Sequence, residues 1–405
     1  MGDELRAGLY AFDLVQKRAR RPVGAPAEEL ARPVTKVGVV GAGLMAGQLA
    51  LLFARRLQVP VVLTDLDQAR LDKGVAYVHA EVDTLLRKKR VGADQANRLR
   101  ALVTGSLTKD AFADADLVVE AVFEELKVKQ QVFAEVEAVV RPDCVLATNT
   151  STLSVTEMAA GLAHPERVVG LHFFNPVAVL PLLEVVRAER TDDATLATAF
   201  AVGKQLKKSC VLVEDAPAFV VNRLLTRFLG EVTAAVDEGT PVAVADRALE
   251  PLGLPMSPFT LLGLVGPAVA LHTGETLHAA WPDRFPLSDN LGRLVAAGKP
   301  GLLSWGPDGP EVDPEVRELF VVGDRPSTAE QVRERALAAL AEEVRLLLDE
   351  GVVAEPQDVD LCMLLGAGWP FHLGGITPYL DRAGVAERVT GRRFLPPGVA
   401  SLPAG

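Results

Sequence analysis

Val37-Gly38-Val39-Val40-Gly41-Ala42-Gly43-Leu44-Met45-Ala46 is the stretch from which the rest of the chain can be read. The β-branched run predicts a strand over Val37–Val40, and the apolar spacing from Met45 to Leu57 predicts a helix. The G-x-G-x-x-A fingerprint therefore sits at a strand-to-helix turn, the context in which it binds a dinucleotide. Gly41 makes the turn, and Gly43 leaves no side chain where a pyrophosphate must approach the backbone. Ala46 is small enough for the helix to pack on the strand. The helix begins at Leu44 and Met45, and its free N–H groups and dipole attract negative charge. A second predicted strand, Val61-Val62-Leu63-Thr64, ends at Asp65, where a carboxylate would accept hydrogen bonds from ribose hydroxyls. Its charge would repel a 2′-phosphate, so the expected cofactor is NAD.

The chain has 405 residues, 49% apolar and 23% charged, which is enough for several globular domains. With 42 basic against 53 acidic residues the net charge is -11, which argues against nucleic acid as a partner. No apolar run reaches the length of a membrane span, and the first residues lack a signal-peptide pattern, so a cytoplasmic protein is expected. Cys144, Cys210 and Cys362 show no metal-binding or disulfide spacing and read as buried apolar residues, and no metal is expected.

Leu5, Leu9, Phe12, Val15 and Ala19 follow a helical period, and the segment from Arg21 to Pro33 breaks it. Strand-like runs at 37–40, 61–63, 117–119, 145–147 and 168–171 then alternate with helical patterns, as in a parallel, doubly wound sheet. After about Asp215 the chain reads as helices. Glu231-Val232 followed by Asp237-Glu238-Gly239 recurs as Glu343-Val344 followed by Asp349-Glu350-Gly351 with the same spacing, which suggests a duplicated helical domain. Trp305 to Arg325, rich in Gly, Pro and Asp, reads as a linker or irregular loop. The expected fold class is an α/β Rossmann-type NAD-binding domain followed by two related all-α domains. Its expected divisions are 1–34 (helix and linker), 35–214, 215–310 and 311–405.

Asn149-Thr150-Ser151-Thr152 follows a predicted strand and so lies at the carboxyl edge of the sheet, where open α/β folds bind ligands. His172 closes another strand. Glu184 lies within Leu182-Leu183-Glu184-Val185-Val186, a run too apolar to hold a carboxylate without a partner. His172 paired with Glu184 would make a general base oriented by a carboxylate, although a core histidine bonded to a nearby acid is the simpler reading of the spacing alone.

From Val37 to Leu225 the chain resembles the L-3-hydroxyacyl-CoA dehydrogenase family. The resemblance rests on V-G-V-V-G-A-G-L-M-A, D-L-V-V-E-A-V-F-E-E-L-K-V-K, L-A-T-N-T-S-T-L-S, G-L-H-F-F-N-P and F-V-V-N-R-L-L, in that order. The flanking regions resemble the alpha subunit of the multifunctional fatty-acid-oxidation enzyme without its hydratase domain. The resemblance implies that His172 is the catalytic base and Glu184 its orienting partner, with Ser151 and Asn222 bonding the reacting oxygen. It assigns Glu124 and Lys129 to the ribose and nicotinamide end of NAD, Asn149 and Asn175 to the same pocket, and Lys88, within Arg87-Lys88-Lys89-Arg90, to acyl-CoA. Without the family, a solvated helix start is the simpler reading of Glu124 and Lys129, and a solvated basic helix end suits Lys88 as well. The resemblance further implies an acyl-CoA substrate, fatty-acid β-oxidation, an enoyl-CoA hydratase or thiolase partner, and a homodimer unless the second helical copy takes that surface. Two alternatives stay open: a dehydrogenase of a free 3-hydroxy acid or sugar acid, and a weakly active NAD- or acyl-CoA-binding subunit of a multienzyme complex.

Two positions and one loop depart from the family. Ala218 and Gly263 stand where Gly and Asp are usual, and the Lys- and Gly-rich loop is degraded over 297–305. In the second copy, Glu334 occupies the position of Asn222, which suggests a structural role for that copy.

Overall fold

The computed structural model describes residues 2–306 and 309–400 and divides into two units. One runs from Lys17 to Ala216; the other joins Met1–Gln16 to Pro217–Gly405.

The first unit is built on β1 (Val37–Val40), β2 (Val61–Thr64), β3 (Val103–Ser106), β4 (Leu117–Glu120), β5 (Val145–Thr148), β6 (Val168–Phe173), β7 (Leu182–Arg187) and β8 (Ser209–Glu214). They form one sheet in the order β3-β2-β1-β4-β5-β6-β7-β8. The strands β1 to β6 are parallel, and β7 and β8 run the other way. The five strands read from the sequence are thus parallel as expected, and β3, β7 and β8 add to them. The connection over 174–181 is too short for a helical crossover, so β7 must return antiparallel to β6. Every residue of β1, β2, β4 and β5 is buried, which is why these strands read as unbroken apolar runs. By contrast β3 has only Val103 fully buried among Thr104, Gly105 and Ser106, and its sequence carries no such signal. Around the sheet lie α2 (Leu44–Leu57), α3 (Gln68–Arg87), α4 (Ala93–Leu102), α5 (Leu126–Glu137), α6 (Val155–Ala159) and α7 (Asp193–Gln205). Strand order reverses at β1, which pairs with β2 on one side and β4 on the other. That reversal opens the crevice in which folds of this kind take their ligand.

The second unit contains α1 (Asp3–Gln16) and α8 (Val221–Asp237), α9 (Val242–Arg247), α10 (Pro258–Val265), α11 (Pro267–Ala280), α12 (Asp289–Ala296), α13 (Pro314–Leu319), α14 (Ala329–Asp349), α15 (Pro356–Gly366), α16 (Ile376–Arg382) and α17 (Val385–Thr390). The two long helices α8 and α14, which carry the repeated anchors, pack along each other. The copies also agree further on: α10 and α16 each end near a glycine of positive φ, Gly266 (φ 95) and Gly384 (φ 66), that starts the next helix.

Two expected divisions shift. The segment 305–325 is not an irregular linker. It includes part of an antiparallel hairpin, β9 (Leu303–Gly306) and β10 (Gly309–Val312), and then α13, so a boundary at 310/311 would cut through β10. The amino-terminal segment is split between the units. On α1, the Tyr10 hydroxyl donates to Asp360 on α15 (2.7 Å). Further along, Arg32 N–H donates to Thr198 on α7 (2.9 Å), and Glu28 pairs with Lys204 (2.6 Å).

Among the described residues no helix is long and apolar enough to cross a membrane, and no His, Cys, Asp and Glu cluster could hold a metal. The three cysteines are free and buried, and burial pushes the Cys144 and Cys210 thiols up to about 12.

Candidate active site

The nucleotide turn has the geometry that its sequence predicts. Gly41 has φ 107, and a Cβ there would come within 2.8 Å of the Ala121 carbonyl oxygen, so only glycine fits. Gly43 is the N-cap of α2 with no side chain capping it, and a Cβ built there would meet nothing within 4 Å. Open space thus lies beside the free N–H groups of the first turn, where a pyrophosphate would be received. Leu44 is exposed, Met45 half-buried and Ala46 fully buried. The closest helix packing falls one residue later, at Gly47, where a Cβ would lie 2.6 Å from the Tyr77 ring. Asp65 accepts from Ala42 N–H at 2.8 Å and from Leu66 N–H at 2.7 Å, which ties the glycine turn to the end of β2. Each oxygen keeps acceptor capacity for a ribose hydroxyl.

Glu124 and Lys129 form the centre of a buried polar network. Lys129 is 1% exposed and lies 2.7 Å from Glu120 and 3.2 Å from Glu124, which rules out the solvated helix start. Glu120, at the end of β4, also accepts from Thr148 (2.7 Å) and Val122 N–H (2.7 Å). Glu124 gathers the turn after β5, accepting from the Thr150 hydroxyl (2.6 Å), Ser151 N–H (2.9 Å) and Thr152 N–H (3.2 Å). Burial by itself would raise the Glu124 pKa. The Lys129 charge and the Thr150 and Ser151 donors outweigh it and hold the carboxyl below its ordinary range. Ser151 is thereby fixed at the carboxyl edge of β5.

His172 and Glu184 face each other across the β6–β7 register, and His172 Nδ1 lies 2.6 Å from Glu184 Oε2. They are 3% and 0% exposed. A histidine held at Nδ1 by a carboxylate has its tautomer set, which leaves Nε2 as the atom to exchange a proton. The Phe174 ring lies 4.4 Å from the imidazole, centre to centre. Asn149 accepts from Phe173 N–H (3.1 Å), and Asn175 accepts from Gln48 (3.1 Å), whose own oxygen accepts from Val177 N–H (2.8 Å). The carboxyl ends of β4, β5 and β6 thus bring Glu124, Ser151 and His172 to one edge of the sheet.

Lys88 and its basic neighbours are exposed at the end of α3. In the helical unit, Asn222 lies in the first turn of α8. Before it, Ala218 (φ 59) and Phe219 (φ 53) adopt the left-handed conformation in which glycine is unstrained. Ala218 therefore keeps the backbone path of a glycine, and its methyl group is buried. Within the degraded loop, Lys299 pairs with Asp313 at 3.2 Å.

The residues that sequence reasoning missed are Glu120, Thr148 and Gln48. Glu120 carried a usable signal: it ends the apolar run Leu117-Val118-Val119, the same anomaly that singled out Glu184.

A Rossmann crevice beside a buried His–carboxylate pair defines a nicotinamide-dependent oxidoreductase. Residues 36–216 match the 3-hydroxyacyl-CoA dehydrogenase NAD binding domain, and residues 219–304 match the 3-hydroxyacyl-CoA dehydrogenase C-terminal domain. The chain belongs to the 3-hydroxyacyl-CoA dehydrogenase family, and its cofactor is NAD.

Among solved structures, the (S)-3-hydroxybutyryl-CoA dehydrogenase of Ralstonia eutropha is 31% identical, with 66% of this chain and 95% of that one covered at a TM-score of 0.62. The 3-hydroxybutyryl-CoA dehydrogenase of Escherichia coli shares the fold over 91% of this chain and 98% of its own, at 24% identity and a TM-score of 0.76. The fatty acid oxidation complex subunit alpha of Acinetobacter baumannii is 32% identical over 95% of this chain. The chain spans 56% of the length of that relative.

Proposed function

We propose that this chain catalyses the reversible oxidation of a 3-hydroxyacyl-CoA to the 3-ketoacyl-CoA in fatty-acid β-oxidation. The observation that carries the reading is the 2.6 Å contact between His172 and Glu184, buried within a chain segment that matches an NAD-binding dehydrogenase domain. NAD, when bound, supplies the hydride acceptor. Gly41, Gly43 and the α2 amino terminus would hold its pyrophosphate, and Asp65 its ribose. As the C3–H hydride departs, His172 takes the hydroxyl proton, and Glu184 stabilises the imidazolium that forms. In the reverse direction that imidazolium returns the proton to the ketone oxygen. Ser151, held by Glu124, and Asn222 would hydrogen-bond the reacting oxygen, and Lys88 would meet a phosphate of CoA. The Acinetobacter relative is a fatty acid oxidation complex subunit alpha, which supports a place for this chain in such a complex; an enoyl-CoA hydratase or thiolase partner and a cytoplasmic setting are part of the same proposal. A homodimer through the helical domains would compete with the second helical copy for the same surface.

His172→Ala should lower turnover of acetoacetyl-CoA with NADH by roughly two to four orders of magnitude. NADH affinity, followed by fluorescence titration, should be retained. Near wild-type turnover in that variant would overturn the mechanism, and faster reduction of free acetoacetate than of the thioester would overturn the substrate class.

A further inference from the structure

The loop over 174–181 joins the strand that carries His172 to the strand that carries Glu184, and its backbone is pinned at several points. Lys208, just before β8, donates to the Val177 and Leu180 carbonyls, the latter at 2.6 Å, and Ser209 N–H donates to the Pro181 carbonyl at 2.8 Å. Within the loop, the Val179 and Leu180 N–H groups both donate to the Pro176 carbonyl, at 3.0 and 3.1 Å. The Val177 N–H is therefore a donor held in a fixed place.

That donor decides the orientation of two side-chain amides. A backbone N–H can only donate, so the Gln48 atom that meets it at 2.8 Å must be the oxygen Oε1. The amide is planar, which puts Nε2 on the other side, where it donates to Asn175 at 3.1 Å. The Asn175 atom facing Nε2 must then be Oδ1. What remains is Asn175 Nδ2, a pure donor with no partner among the described residues. Gln48 is half-buried on α2, and Asn175 is exposed on the loop.

We propose that Gln48 is a positioning residue that fixes the polarity of Asn175, so that the cofactor pocket offers a donor to the carboxamide oxygen of the nicotinamide. The proposal rests on the reading that puts Asn175 at the nicotinamide end of NAD. Ribose hydroxyls both donate and accept, so the orientation of Asn175 matters little to them. The carboxamide has an acceptor end and a donor end, and a fixed donor selects the first. An amide already locked by Gln48 also loses no rotamer freedom when the cofactor arrives.

The test is the affinity for NADH relative to ADP-ribose, measured by titration of the wild type, Gln48→Glu and Asn175→Asp. ADP-ribose lacks the nicotinamide and keeps both phosphates, so any effect of added charge on phosphate binding cancels in the ratio. Glutamate has the shape of glutamine and the position is only half-buried, so the fold should hold. In Gln48→Glu, one carboxylate oxygen keeps the Val177 N–H and the other can only accept. Asn175 must then turn Nδ2 towards residue 48 and present Oδ1 to the cofactor. In Asn175→Asp, Gln48 still donates, and the second carboxylate oxygen faces the cofactor. Each variant should lower the ratio about tenfold to a hundredfold, the effect of losing one hydrogen bond and leaving an acceptor unsatisfied. A role for Gln48 in packing alone would leave the ratio unmoved, and an unchanged ratio in Gln48→Glu would overturn the proposal. The measurement needs no substrate. A polarity effect with no reduction of any 3-ketoacyl-CoA by the wild type would uphold the proposal and defeat the dehydrogenase reading, and turnover of acetoacetyl-CoA with an unchanged ratio would do the opposite.

Discussion

The two helical copies meet through the same ion pairs used in opposite directions. Arg223 on α8 reaches Glu343 (2.6 Å) and Glu350 (2.7 Å) on and just after α14. Arg335 on α14 reaches Glu231 (3.0 Å) and Glu238 (2.6 Å) on and just after α8. Arg223 corresponds to Arg335 in the repeat, as Glu231 does to Glu343 and Glu238 to Glu350. Such reciprocity, with i touching j and j touching i, is the rule of a two-fold dimer interface, here closed within one chain. Yet the two halves differ in depth. Arg223 and Glu343 are fully buried, under Trp281, whereas the Arg335 and Glu231 side chains are 34% and 18% exposed. The two halves share a contact pattern and differ in its environment.

That difference sets the largest expected effect on stability. Glu343→Ala removes a partner of both Arg223 and Arg284 and leaves the Arg223 guanidinium buried beside Glu350 alone. A loss of about 3–5 kcal/mol is expected. Glu231→Ala, the matching change on the open side, should cost no more than about 1 kcal/mol. Denaturant unfolding of the two variants measures both, and equal losses would show that the pseudo-symmetric halves carry equal weight.

A second contrast lies at the ends of α10 and α16. Asp381 on α16 accepts from the N–H groups of Phe394 and Leu395, both at 2.9 Å, and so pins the carboxyl-terminal segment. Gly263 takes the corresponding place on α10, with the backbone of Gly301 packed against it. Asp381→Ala would leave two buried N–H groups without their acceptor, a loss of about 1–3 kcal/mol. Gly263→Asp tests the converse. A Cβ at Gly263 approaches nothing closer than the Pro300 oxygen at 3.7 Å, so the side chain fits. Slower hydrogen exchange over 299–303 would show that the lost contact has been restored, and unchanged exchange would show that the loop has diverged too far to use it.

What the sequence made legible follows from how much information each feature keeps in one place. The glycine turn and the buried strands are local patterns, and the structure has them at the positions read from the sequence. The His172–Glu184 contact was visible only as two anomalies, because a hairpin register decides whether two side chains meet. Lys129 shows the opposite limit. Its neighbours in sequence read as a solvated helix start, and only the fold reveals that Glu120 and Glu124 converge on it. The hairpin β9–β10 lacked alternation and passed for a linker.

The smallest expected effect concerns a residue that the second copy alone possesses. Asp360 on α15 is fully buried, where Ala248 stands at the matching place in the first copy, and it receives Tyr10 from α1 and both donors of Thr377. Burial pushes its carboxyl up to about 7 from 3.8, even though these donors and the Tyr10 hydroxyl lower it. The native chain therefore holds a proton that the unfolded chain releases, and stability must decline as pH rises from about 4 to about 7. Asp360→Asn removes the titration and should flatten that slope. The Thr377 and Tyr10 hydroxyls can rotate to accept from the new amide, so the two proteins should differ by less than about 1 kcal/mol near pH 4. Thermal unfolding across this range is the measurement. A slope unchanged by the substitution would place the proton elsewhere, and a collapse at every pH would mean that α1 depends on the carboxylate itself.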